Sequence, residues 1–164
     1  MVIYLPELSK ASLEFPPVSQ ALTEPDGLLA MGGDLSPQRL LKAYQSGIFP
    51  WFSPGDPLLW WSPSQRAIFK PGVLKPNRSL RKLLHHSSFQ ISINKAFPLV
   101  IKACSAPRPS QQGTWIVPDI QQAYIALHQQ GHAHSIEVWR DDVFAYCMMQ
   151  TDQYTDIVYD KVVV

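Results

Sequence analysis

Gly47-Ile48-Phe49-Pro50-Trp51-Phe52-Ser53-Pro54-Gly55-Asp56-Pro57-Leu58-Leu59-Trp60-Trp61-Ser62-Pro63 packs three tryptophans, two phenylalanines and four prolines into one short segment. Proline removes a backbone donor and fixes φ, so the segment reads as rigid irregular chain, neither helix nor central strand. Trp51, Trp60 and Trp61 each carry a large flat face and a single N–H donor. Such faces either plug a core or form a platform on which another flat group stacks.

On its N-terminal side, Ser36-Pro37 is an N-cap followed by proline at the first helical position, and Gly47 ends the helix. Within it Leu40, Leu41, Tyr44 and Ile48 share one face, which predicts packing against the tryptophan-rich segment, while Arg39, Lys42 and Gln45 look outward. Earlier, Glu24-Pro25-Asp26-Gly27 suits a type I turn, Gly32-Gly33 a tight turn, and Val2–Leu5 a short edge strand ended by Pro6.

On the C-terminal side, Arg66–Phe69 suits a short strand, with breakers at Pro71-Gly72 and Pro76-Asn77. Ser79 is placed to cap a second helix, with Leu80, Leu83 and Leu84 at core spacing and Arg78, Arg81, Lys82 and His85 on another side. Phe89, Ile91 and Ile93 alternate with Gln90, Ser92 and Asn94, a half-buried strand with its isoleucines inward. Asn94 can cap a helix running to about Cys104, and a loop rich in breakers spans Pro107–Gly113. Pro118 opens a helix with Ile120, Ala123, Tyr124 and Leu127 as its apolar stripe, closed by Gly131. A strand His134–Arg140, a hairpin at Asp141-Asp142 and a return strand from Val143 complete an α+β order.

Composition sets bounds around this. At 164 residues and 46% apolar content, the chain can bury one ordinary core or two small ones. A net charge of +1 gives no global field for nucleic acid, so any RNA contact must come from a local patch. The two cysteines, Cys104 and Cys147, argue against a disulfide framework and for a reducing compartment. With no stretch near about 18 apolar residues and no leader pattern, the expectation is a cytoplasmic protein without a membrane partner. His128, His132, His134 and Glu137 have metal-ligand side chains, but they straddle a helix end and a strand rather than share one element, so no metal is expected. Glu137 alternates with Ile136 and Val138 and reads as solvent-facing or strand-paired, with a place near a site as the second reading.

Several long strings in order carry a resemblance. They are Glu24-Pro-Asp-Gly-Leu-Leu-Ala-Met-Gly-Gly-Asp-Leu-Ser36, Leu40-Leu-Lys-Ala-Tyr44, Gly47-Ile-Phe-Pro-Trp-Phe52, Trp60-Trp-Ser-Pro63, Arg66-Ala67, Arg78-Ser79, Gly113-Thr-Trp-Ile116 and Gly131-His-Ala-His-Ser-Ile-Glu-Val-Trp139. Over about residues 12–142 the chain resembles the leucyl/phenylalanyl-tRNA–protein transferase family. The resemblance implies a small N-terminal α/β domain, residues 1–65, followed by the first half of an acetyltransferase-like (GNAT) domain, residues 66–164, with a divergent tail over 143–164. The family's catalytic segment has no counterpart after Val143, so the resemblance assigns no catalytic residue here.

The activity implied is transfer of Leu or Phe from aminoacyl-tRNA to proteins with an N-terminal Arg or Lys, the N-degron tag for degradation, by a monomer without a cofactor. Trp51 and Trp115 match the family's tryptophans for the terminal adenosine, and Arg78, Arg81 and Lys82 its basic cluster for tRNA phosphates. His85-His86 stands where family members tend to carry lysine or arginine. The competing expectation is a catalytically inactive fragment that retains binding of the tRNA 3′ end.

Overall fold

The computed structural model describes residues 4–66, 75–86, 88–106, 114–141 and 143–151. Among the described residues, two mostly antiparallel sheets and four α-helices make a mixed fold compatible with the α+β class. The first sheet joins β1 (Glu7–Leu8), β2 (Leu28–Gly32), β3 (Phe49–Pro50) and β4 (Leu59–Trp61) in the order β1-β2-β4-β3. β1 runs parallel to β2, while β4 runs antiparallel to both of its neighbours. The second sheet is β5 (Phe89–Ile93), β6 (Ala133–Arg140) and β7 (Val143–Thr151), antiparallel throughout. Buried residues from both sheets and from α1 (Pro37–Gln45), α3 (Phe97–Cys104) and α4 (Pro118–Gln129) form one cluster.

β4 corrects the reading of the tryptophan-rich segment, because it is an inner strand. Its three residues contain no proline, so every amide can join the ladder; the prolines fall on the edge strand β3, in the connecting loop and after β4. An edge strand, β1, lies just beyond Pro6, while the expected strand Val2–Leu5 lies partly outside the described residues. At the expected turn over 24–27 the Gly27 amide donates to the Leu22 carbonyl at 2.8 Å rather than to Glu24, and Glu24–Pro25 is cis. Gly27 has φ +87°, and a Cβ there would sit 2.5 Å from the backbone of Pro63.

α1 starts and ends as its sequence predicts, with the Ser36 hydroxyl accepting from the Arg39 amide and Gly47 at φ +73° past its end. Leu40, Ala43, Tyr44 and Ile48 are buried. Arg39 was expected outward and is instead fully buried. Its guanidinium donates to the Ser9 and Ser12 carbonyls, both at 2.8 Å, and to the Asp34 carboxylate at 3.4 Å, so it pins the N-terminal segment onto the helix. Gly33 leaves room for it, since a Cβ there would lie 3.1 Å from the guanidinium carbon. Burial raises the Asp34 pKa, but hydrogen bonds from Ser36 and Arg39 together with the Arg39 charge outweigh it and leave the pKa below its ordinary value. α1 also meets α4 through a buried contact between the Tyr44 and Tyr124 hydroxyls. Burial, reinforced by its partner, holds Tyr44 well above the usual tyrosine range; burial also pushes Tyr124 up to about 12, so the pair is neutral at physiological pH.

α2 (Arg78–His86) is capped by Asn77 rather than Ser79: the Asn77 side chain accepts from the Leu80 amide at 2.8 Å. Its leucines were expected in the core but Leu80, Leu83 and Leu84 are exposed. β5 is likewise turned over relative to its pattern. Ser92 faces the core, whereas Ile91 and Ile93 are 68% and 65% exposed. The reversal has a cause in β6, where Ser135 and Glu137 point inward and Ser92 pairs directly opposite Glu137, giving each polar group a partner. Asn94 does not cap α3; it has φ +58°, and its side chain bridges to the Ser135 amide and the His134 ring, each at 2.9 Å. α4 has the expected stripe of Ile120, Ala123, Tyr124 and Leu127, all buried, and Gly131 past its end at φ +81°. The expected strand over 66–69, the breakers at Pro71-Gly72, the loop from Pro107 and the tail beyond Thr151 lie wholly or partly outside the described residues.

The buried Arg39 gives a direct test. Arg39→Ala leaves the Ser9 and Ser12 carbonyls without this donor and Asp34 without its cationic partner, and is expected to cost about 3–5 kcal/mol in urea unfolding. Lys42→Ala, which removes an exposed pair with Glu14, is expected to cost less than about 1 kcal/mol.

Candidate functional site

The three tryptophans of the opening segment separate by strand alternation. Pro50 pairs with Trp60 and Phe49 with Trp61, so side chains at 50 and 60 share the inner face and those at 49, 51 and 61 the outer one. Trp60 is fully buried, donates its indole N–H to the Gly32 carbonyl at 2.9 Å and meets the Phe15 ring edge-on at 4.9 Å. Trp60 is therefore the core plug, while Trp51 is 52% exposed. The ring beside Trp51 is Trp61, with centroids 5.6 Å apart and planes at 51°. Phe49 extends this outer face and carries the Arg66 guanidinium, whose carbon lies 5.4 Å from the ring centroid, and Arg66 also donates to the Gly47 carbonyl. The loop joining the strands is tied by Ser53 and Asp56, whose amides bond to each other's side-chain and backbone oxygens at 3.1 and 3.0 Å. An exposed indole on a short, tied hairpin, with a cation at the far end of the same face, is suited to stacking a planar base.

Trp115 reaches the surface from another part of the chain. It is half-buried beside the core, one residue before the buried Ile116 and three before α4. Arg78, Arg81 and Lys82 are exposed on α2, which carries no acidic residue, and neither ion pair among the described residues involves that helix. The stripe is thus open to solvent and to polyanions.

Glu137 is fully buried and strand-paired opposite Ser92, so of its two expected placements the solvent-facing one is overturned. Its carboxylate accepts from the Ser92 hydroxyl, from the Ser135 hydroxyl at 2.6 Å and from the Ala96 amide at 3.2 Å, at the start of α3. Ser92 in turn accepts from the Trp139 indole at 2.8 Å. Burial alone would raise the Glu137 pKa; the two hydroxyls and the backbone amides of Ala96 and Lys95 outweigh it and hold the pKa below the usual range. The group therefore stays ionised and fastens α3 to the sheet, at the positive end of the helix. Its neighbours in sequence do ordinary structural work: His128 stacks on Phe97 at 4.2 Å and its ring bonds the Ala133 carbonyl at 2.7 Å. Among the described residues no three His, Cys, Asp or Glu side chains are grouped to hold a metal ion.

With this geometry in place, the chain can be set beside known proteins. A family model for leucyl/phenylalanyl-tRNA protein transferase matches residues 68–150, and one for the N-terminal domain of the same transferase matches residues 33–64. The chain belongs to the leucyl/phenylalanyl-tRNA–protein transferase family. It is 62% identical over 136 residues to a leucyl/phenylalanyl-tRNA–protein transferase of Shewanella piezotolerans, covering 83% of this chain and 58% of that one. Transferases of Psychromonas ingrahamii and Vibrio vulnificus are 60% and 54% identical, over 87% and 86% of this chain and 60% and 59% of theirs. The chain thus spans about three fifths of the length of the curated relatives it matches. No helix among the described residues is long and apolar enough to cross a membrane.

Sequence reasoning names Trp61 only as plug or platform, without deciding which, and does not place Arg66 on the same face. The signal was the alternation of Phe49 and Trp51 against Trp60 and Trp61, visible only once the two strands are paired. Glu137→Gln tests the buried network. The folded pKa lies below the unfolded one, so its stabilisation is present above about pH 4.5 and is lost as pH falls through the folded value. The variant is expected to be about 1–3 kcal/mol less stable at pH 7. Its stability should fall less steeply than the wild type between about pH 5 and 3, measured by urea unfolding at stepped pH.

Proposed function

We propose that this chain forms the tRNA-end-binding part of an aminoacyltransferase that moves Leu or Phe from aminoacyl-tRNA to the N-terminal Arg or Lys of a protein. The observation that carries this reading is Trp51, a large apolar residue left 52% exposed on a tied hairpin in a chain of this family. Trp51 and Trp115 hold the terminal adenosine between them, while Arg78, Arg81 and Lys82 follow the phosphates of the acceptor stem. Stacking contributes about 1–3 kcal/mol per base, enough to place the ester but not to select the amino acid. Glu137, with its oxygens engaged by Ser92, Ser135 and Ala96, maintains the fold around the site rather than taking part in the reaction.

The chemistry is attack by a free α-amine on the aminoacyl ester, which expels the adenosine hydroxyl. An amine reacts with an activated ester without a covalent enzyme intermediate or a cofactor, so the protein's tasks are orientation, removal of one proton and stabilisation of the oxyanion. We read residues 1–65 as an N-terminal domain and 66–164 as an incomplete acetyltransferase-like domain, working as a monomer in the cytoplasm where charged tRNA is found. The second reading, binding of the tRNA 3′ end without transfer, is favoured by the uncovered apolar face of Ile91 and Ile93.

Transfer of radiolabelled Leu or Phe from charged tRNA to a protein beginning with Arg is the deciding assay. It should be run on the 164-residue chain and on the same chain extended with the unmatched part of a relative. Activity in both supports transfer by this chain, activity in the extended chain alone supports binding without transfer, and inactivity in both refutes the transferase reading. Because Trp51 is exposed, Trp51→Ala is expected to weaken binding of an aminoacyl-adenosine analogue by roughly 5- to 100-fold while cooperative melting is retained.

A further inference from the structure

We propose that Trp61 is the positioning residue of the nucleotide platform: its indole N–H locks the Trp51 backbone, and its ring fixes the tilt of the Trp51 face that receives the base. The inference rests on the reading of Trp51 as an adenosine platform, but its structural half stands apart from any ligand.

Trp51 lies one residue past β3, where the ladder would ordinarily release the chain. Both of its backbone polar groups are nevertheless held. Its amide donates to the Leu59 carbonyl at 3.0 Å, and its carbonyl accepts from the Trp61 indole N–H at 2.7 Å. Pro50 precedes it with φ fixed, so little backbone freedom remains. The Trp61 ring covers one side of Trp51 at 5.6 Å, leaving the rest of a residue that is 52% exposed facing outward. Trp61 can act as a fixed post because it is paired on both edges, to Phe49 in β3 and to Leu28 in β2.

A stacking surface gains from being set in advance, since ordering a ring on binding costs affinity. Of the aromatic side chains, only tryptophan presents a flat bicyclic face with a lone N–H donor and no acceptor. Phenylalanine would keep part of the ring contact and lose the bond. The Trp60 indole points the other way, to Gly32, so the two adjacent tryptophans divide the work: Trp60 anchors β4 in the core and Trp61 anchors the platform.

The test compares the 164-residue chain with its Trp61→Phe variant. A companion replaces the Trp61 indole by benzothiophene, which preserves the ring and deletes only the donor. Amide exchange at Trp51, read by NMR without ligand, is expected to quicken about tenfold in both, with cooperative melting retained. Affinity for adenosine 5′-monophosphate, followed by chemical-shift titration, is expected to weaken about 3- to 10-fold. On a Trp51→Ala background the same replacement should have no further effect on affinity, because Trp61 acts through Trp51. Unchanged exchange at Trp51 overturns the proposal, as does an affinity loss that persists in the Trp51→Ala background. If exchange quickens but the wild-type chain does not bind adenosine 5′-monophosphate, the positioning role stands and the adenosine reading of the platform falls.

Discussion

The placement of Trp60 organises the N-terminal sheet. Its side chain is fully buried, and its N–H reaches the Gly32 carbonyl at the end of β2. That bond satisfies the indole's only polar atom, so the ring can sit in the core without a desolvation cost. It also holds β4 beside β2 through a contact that a two- or three-residue strand could not supply by its ladder alone. With Trp60 turned in, the period of two leaves Trp61 and its cross-strand neighbours no choice but to face out. Core and platform are two consequences of one register.

Elsewhere, the fold uses buried charge where an apolar side chain would ordinarily stand. Arg39 ties the N-terminal segment to α1 through Ser9, Ser12 and Asp34, and Glu137 ties α3 to the second sheet through Ser92, Ser135 and Ala96. In each case the charged group serves backbone that lacks a regular partner: the irregular stretch before β2, and the start of a helix whose N-cap is alanine. An apolar substitute could fill the same volume, yet it would leave those amides and carbonyls unsatisfied.

Legibility from sequence followed whether a residue's neighbours were local. α1, α4 and the β6–β7 hairpin were readable because caps, glycine terminators and apolar spacing lie within a few residues of the elements they define. The family strings likewise single out Trp51 and the basic stripe of α2 as candidates. Arg39 was misread because a partner sits about 30 residues away, at Ser9, and a charged residue viewed without its partner defaults to the surface. For Glu137 the strand-paired alternative held, and what the sequence could not decide was its burial, since its partners Ser92 and Ala96 lie about 40 residues away. β5 failed for the same reason. Its alternation has two phases, and only the inward Glu137 on the neighbouring strand decides which one is core. The hairpin of β3 and β4 was hidden by its prolines, although they occupy the edge strand, the loop and the position after β4, where they disturb nothing.

Exposed apolar surface here is of two physical kinds, and the difference bears on function. Ile91, Ile93, Leu83 and Leu84 are exposed aliphatic side chains with no polar handle, so their uncovered area is a loss of about 1.5–3 kcal/mol for each side chain that could have been buried. Surface of this sort is neutral toward chemistry and suited to packing. Trp51 differs because its exposure is built in: its amide and carbonyl are bonded, its flank is covered by Trp61, and a neighbouring ring carries a cation. On the proposed reading of Trp51, a face fixed this firmly has already met the entropic cost of presenting itself to a planar ligand. Rigidity at an exposed tryptophan, more than the exposure itself, separates a binding face from an unfinished core.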